Sequence, residues 1–184
     1  MRALSSETVA PRGDEALVAA YQAGDEGAAG ELVRRHSAGL GRYLYGLGAP
    51  SADLDDLLQE AFFRAFRAAS TFRGDSSFRS WLYRIGANAA RDHHRRGRNR
   101  VILSLENRDL VDAADPGGEA EATEAEGRLH AALKLLPPKQ RDVFLLRAQQ
   151  GLAYEEIAVT LETTPGAARV HYHHAVKRLK EAMQ

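Results

Sequence analysis

Between Leu54 and Phe66 the apolar residues Leu54, Leu57, Leu58, Ala61, Phe62, Ala65 and Phe66 recur at steps of three and four. An α-helix puts residues so spaced on one face; a strand would scatter them over both sides of a sheet. The pattern predicts a helix from Asp53 to Ala68, begun after Pro50-Ser51, with a stripe wide enough to demand neighbours. Opposite the stripe lie Asp56, Gln59, Glu60 and Phe63. An aromatic ring among exposed polar groups reads as a protein contact.

The neighbours lie on both sides of it in the chain. Asp14 is placed to cap a first helix carrying Leu17, Val18 and Tyr21, ending near Gly24. Asp25 is placed to cap a second, with Leu32, Val33, His36, Leu40 and Leu44 inward. His36 is expected to pack rather than to ligate. Gly27, Gly30, Gly39 and Gly41 weaken that helix by up to about 1 kcal/mol each.

Phe72 to Arg98 supplies a fourth helix. Arg73-Gly74-Asp75 forms a turn, and Ser76 or Ser77 caps the helix that begins there. Phe78, Leu82, Ile85 and Ala89 share one face. Ser80, Arg84, Asn88, Arg91, Arg95 and Arg98 share the other, with Trp81 at the border. A row of cations suits phosphates, and a flat ring beside an amide suits unstacked bases.

The chain has 184 residues and a formal net charge of zero. That neutrality conceals segregation. Arg84 to Arg100 is basic. An acidic run, Glu106, Asp109, Asp112, Asp115, Glu119, Glu121, Glu124 and Glu126, comes next with only Arg108 against it, and the chain is basic again beyond Gly127. Two basic blocks suggest two sites for a polyanion. Cysteine is absent, which excludes disulfides and thiolate chemistry. No signal-peptide core or membrane-length apolar run appears, so a cytoplasmic protein is expected.

These signals divide the chain into a disordered tail (1–13), a four-helix domain (14–100), a flexible acidic linker (101–126) and a second helical domain (127–184). In the last, Leu129, Ala132, Leu133 and Leu136 face inward, and Pro137-Pro138 ends one helix and starts another. Val143, Phe144, Leu146 and Arg147 come after it, and Gly151 supplies a left-handed stop. A short helix from Tyr154 to Leu161, a break at Glu162 to Pro165 and a longer helix capped by Thr164 make a helix-turn-helix. Ala168, Tyr172, Ala175, Val176, Leu179 and Met183 form its inner side. Arg169, Val170, His173, His174 and Arg178 form the outer arc, where such a motif meets the major groove.

No phosphate loop or dinucleotide fingerprint is present. His171 and His174 lie one turn apart without further ligands, so no metal or cofactor is expected. The carboxylate pairs sit on helix surfaces, and an enzyme is not expected.

Three stretches carry a resemblance: Asp53 to Phe66, Phe72 to Ile85 (Phe-Arg-Gly-Asp-Ser-Ser-Phe-Arg-Ser-Trp-Leu-Tyr-Arg-Ile) and Leu136 to Arg147 (Leu-Pro-Pro-Lys-Gln-Arg-Asp-Val-Phe-Leu-Leu-Arg). Together with the helix-turn-helix, they resemble extracytoplasmic-function sigma factors of the bacterial sigma-70 class, in order from about Asp14 to Lys180. The resemblance implies an all-α protein of two small domains that binds core RNA polymerase and directs it to promoters.

It further implies roles. Asp56, Gln59 and Glu60, with Phe63 added from the pattern above, would dock on the clamp coiled coil of the largest catalytic subunit. Phe72, Arg73, Asp75, Ser76, Ser77, Trp81, Arg84, Asn88, Arg91 and Arg95 would open and read the minus-10 element, holding a flipped base. Arg147, Thr164, Arg169, Val170, His173 and His174 would read the minus-35 element as duplex. The flap of the second polymerase subunit and an anti-sigma factor are implied partners, and no membrane insertion is expected. The linker would thread toward the RNA exit path.

Four positions depart from the pattern. Ala153 replaces a capping serine, at a cost of about 1 kcal/mol. Glu162 replaces a turn glycine. His171 and His174 stand where arginines are common, and a neutral imidazole holds phosphate or guanine less well. A helix-turn-helix regulator with an N-terminal interaction domain, and a helical protein-binding adaptor, are the competing readings; in vitro transcription with core enzyme separates all three.

Overall fold

The computed structural model describes residues 12–106 and 124–183, with 97–106 and 125 described by backbone alone. Residues 1–11 of the expected tail, the acidic residues 109–121 and the side chain of Arg98 lie outside this set. The described residues are helical, with no strand. The helices are α1 Asp14–Gln22, α2 Glu26–Gly46, α3 Leu54–Arg67 and α4 Phe78–Glu106 in one lobe, and α5 Glu124–Lys134, α6 Pro138–Phe144, α7 Tyr154–Leu161 and α8 Pro165–Ala182 in the other.

Most starts are the expected ones. The Asp25 side chain accepts from the Ala28 N–H, the Ser77 hydroxyl from the Ser80 N–H, and the Thr164 hydroxyl from the Ala167 N–H. Asp14 is different. Gly13 occupies the cap position, and Asp14 opens the helix itself. Its carboxylate is engaged from α2 by Arg35 at 3.1 Å and His36 at 2.6 Å. His36 also meets the Phe78 ring edge-on, so it packs as expected.

Two boundaries move. α4 continues to Glu106 because Val101 to Leu105 contain no glycine or proline to stop it. α5 begins at Glu124, where Glu124 and Glu126 suit the positive end of a helix. Met183, expected inward, is 48% exposed because the helix has run past its last partner.

The sequence left the relative placement of the lobes open. Here they share one core. Leu145 of the second lobe is fully buried and lies against Gly46 of α2. A Cβ at Gly46 would fall 2.6 Å from Leu145 Cδ2, so only glycine permits this approach. Gly39 does the same for the Tyr83 hydroxyl, which a Cβ would meet at 2.7 Å. Of the glycines that weaken α2 as an isolated helix, Gly39 is the one that lets another element come so near, whereas a Cβ at Gly30 would meet nothing within 4 Å.

Candidate nucleic-acid interface

The α3 face is as expected. Asp56 and Gln59 are exposed, Glu60 is partly exposed, Phe63 is 57% exposed, and the four line one shallow depression. The Glu60 carboxylate accepts from Arg64 at 2.6 Å, and Arg64 reaches on to Asp92 of α4 at 3.1 Å. The Arg67 guanidinium sits 5.5 Å from the centre of the Phe63 ring. The face is therefore acidic with a cationic border, held rigidly against the next helix.

The α4 surface differs from the expected open stripe. Arg73 and Asp75 are exposed on the loop, where Gly74 takes a positive φ of 78°. Ser76 and Phe72 are partly covered. Trp81 is only 8% exposed, its ring 5.2 Å from Phe72 and 5.9 Å from Phe78. Ser80, expected on the open face, is wholly buried, because the second lobe covers it. The Ser77 hydroxyl donates to Glu156 of α7 at 3.0 Å, and the Ser80 hydroxyl lies 3.4 Å from the same oxygen. The other Glu156 oxygen accepts from the Ala153 N–H, supplying the half of a capping box that does not need the missing serine.

Further along, Arg91 donates to Asn88 at 2.8 Å and to Asp142 of α6 at 2.8 Å. Arg95 pairs with Asp92 at 3.1 Å. Asn88 is exposed and Arg84 partly so. The Tyr83 hydroxyl donates to Gln150 at 2.7 Å across the lobes. Burial raises the pKa of Asp142, and Arg91 only partly opposes it. Burial raises that of Tyr83 as well. Ser80, Glu156, Asp142 and Gln150 were not expected at an interface; their polar side chains give no periodic signal that marks burial.

The second lobe presents the helix-turn-helix. Arg169, Val170, His173 and His174 are exposed along α8, and Thr164 at its start is exposed too. His171 is half-buried, and no group of potential metal ligands occurs among the described residues. Arg147 belongs to a π-helical turn, Leu145–Gln149, that the sequence did not reveal. Glu162 adopts φ 52°, ψ 55°, the one positive-φ residue other than glycine among the described residues.

Two family models match the chain. Residues 32–100 match the model for sigma-70 region 2, and residues 126–179 that for sigma-70 region 4. The chain is 32% identical to the RNA polymerase sigma factor NccH of Alcaligenes xylosoxydans xylosoxydans, covering 95% of this chain and 96% of that protein. It is 36% identical to the ECF RNA polymerase sigma factor SigE of Mycolicibacterium smegmatis, over 96% and 71%. Against the ECF sigma-E factor of Escherichia coli K12 it is 32% identical, over 93% and 94%. Among solved structures, CnrH in complex with the cytosolic domain of CnrY superposes with a TM-score of 0.73 at 29% identity, covering 92% of this chain and 96% of that one.

Proposed function

The chain belongs to the extracytoplasmic-function RNA polymerase sigma factors of the sigma-70 family, and from that premise we propose how its surfaces divide the work. It is an alternative sigma factor directing promoter-specific transcription initiation. Core RNA polymerase and promoter DNA are its partners. Bond formation is left to the polymerase, and the chain works in the cytoplasm beside it. No described helix is long and apolar enough to cross a membrane.

The depression formed by Asp56, Gln59, Glu60 and Phe63 docks on the polymerase clamp. Its acids complement a basic surface, and an exposed phenyl ring gives such an interface an apolar centre. The flap of the second subunit meets the second lobe. The loop from Phe72 to Ser77 and the helix carrying Trp81, Arg84, Asn88, Arg91 and Arg95 open and hold the minus-10 strand. α8 enters the major groove at minus-35 through Arg169, Val170, His173 and His174, with Arg147 and Thr164 beside them.

One observation carries an added step. Ser77, at the minus-10 loop, and Glu156, in the helix-turn-helix, are in hydrogen-bond contact. The two promoter elements lie roughly 25 base pairs apart, on the order of 85 Å of duplex. Touching lobes cannot hold both, so the packed form is the unloaded one and the lobes part on the polymerase. CnrH was solved in complex with the cytosolic domain of CnrY, and an anti-sigma factor is a further partner in this reading.

Transcription in vitro decides the main reading. Core enzyme with this protein is expected to start discrete RNA chains on host genomic DNA. Silence on every fragment, with core binding intact, would exclude promoter direction.

A further inference from the structure

Arg147 and Arg169 lie in different helical segments, yet both reach the same ring. The Arg147 guanidinium carbon is 4.9 Å from the centre of Tyr154, and that of Arg169 is 5.1 Å away. A guanidinium at that range is attracted by the negative face of an aromatic ring. Arg147 is fixed by a second contact, donating from Nη1 to the Leu152 carbonyl at 2.8 Å. Neither arginine forms an ion pair with a carboxylate among the described residues. Both charges thus remain available to an anion, held within about 10 Å of each other by the ring between them.

The ring is itself well held. Tyr154 opens α7 and meets Tyr172 of α8 edge-on, at 6.2 Å between centres, while Tyr172 stacks on Phe144 at 6.0 Å. The π-helical turn Leu145–Gln149 and the left-handed Gly151, with φ 68°, bring the chain back so that Arg147 overlies α7. A π-turn interrupts regular helix bonding and is frequent at functional sites.

We infer that Tyr154 is a positioning residue that sets Arg147 and Arg169 as a preformed two-cation fork for the phosphates and base edges of the minus-35 duplex. The fork rests on the reading of both arginines as minus-35 contacts. Its advantage is entropic. A free arginine loses rotamer freedom when it binds, whereas one already laid on a ring has less to lose.

The test uses holoenzyme reconstituted from core polymerase and the full chain, on a duplex template where the wild type initiates. Tyr154→Leu is expected to weaken promoter binding about tenfold or more. The slope of log affinity against log salt should change by less than about one, since both arginines still reach their phosphates and only a lost contact would remove about 0.9. Affinity for core should not change. Tyr154→Phe keeps the ring and should stay within about twofold of wild type. In the free full chain, the Nε–Hε resonances of Arg147 and Arg169 should shift in Tyr154→Leu and hold in Tyr154→Phe, with circular dichroism unchanged in both.

Equal loss in Tyr154→Phe and Tyr154→Leu would assign the effect to the hydroxyl and overturn the fork. Arg147→Ala and Arg169→Ala separate the two levels. If neither weakens promoter binding, the arginines are not contacts and the underlying reading fails. If both do while Tyr154→Leu does not, only the positioning role fails.

Discussion

Arg91 of α4 donates a 2.8 Å hydrogen bond to Asp142 of α6, joining a half-exposed guanidinium to a carboxylate whose side chain is only 8% exposed. The pair crosses the boundary between the lobes. Burial raises the Asp142 pKa, so the folded form binds this proton more tightly than the unfolded form. The stability it contributes is present in acid and is lost as pH rises through the raised value.

Asp142→Asn is therefore expected to match wild type in acid and to gain stability over it toward neutral pH. Arg91→Ala should instead cost roughly 1–3 kcal/mol at neutral pH, because it leaves a buried carboxylate without its partner. Urea denaturation at pH 4 and pH 7.5 checks both. A stability difference between Asp142→Asn and wild type that does not vary with pH would refute the assigned titration.

Gly46→Ala should force the lobes apart. The added carbon meets fully buried Leu145, and overpacking of this kind costs about 1–3 kcal/mol. The radius of gyration in small-angle scattering should increase while helix content holds. Adding Leu145→Ala should recover part of the Gly46→Ala loss, since the two changes share one contact. Strict additivity would mean the approach is not limiting.

Glu162→Gly should stabilise the second lobe by about 1 kcal/mol. A side chain in the left-handed region crowds its own carbonyl, and glycine removes that cost. The Thr163 N–H to Ala158 carbonyl bond that closes α7 involves only backbone and should survive. Thermal melts report the change; a lower midpoint would show that Glu162 makes compensating contacts.

Asp56→Lys combined with Glu60→Lys should abolish binding to core polymerase with the fold retained. Arg64 loses Glu60 but keeps Asp92 of α4, so α3 stays anchored. Phe63→Ala alone should weaken binding about tenfold, as loss of a central aromatic commonly does. Co-purification with core enzyme and far-ultraviolet circular dichroism give the two readouts.

The legible part of the site was what helical periodicity exposes. Leu57, Ala61, Phe62 and Ala65 are buried as their spacing demands, and Phe63 stands out because it breaks that spacing. The same rule placed Trp81 beside an open basic stripe and Ser80 upon it, and there it failed. Both are covered, one by Phe72 and Phe78, the other by a second lobe distant in sequence.

By itself the sequence determined the helices, their caps and the inner face of each lobe, since these depend on neighbours within a few residues. Asp25, Ser77, Thr164 and Gly151 are instances. Only the tertiary structure decided that Leu145 seats on Gly46, that Glu156 takes the Ser77 hydroxyl and that Tyr154 gathers two arginines. Those contacts join residues far apart in the chain. Their partners are chosen by shape and charge in three dimensions, which no local repeat encodes.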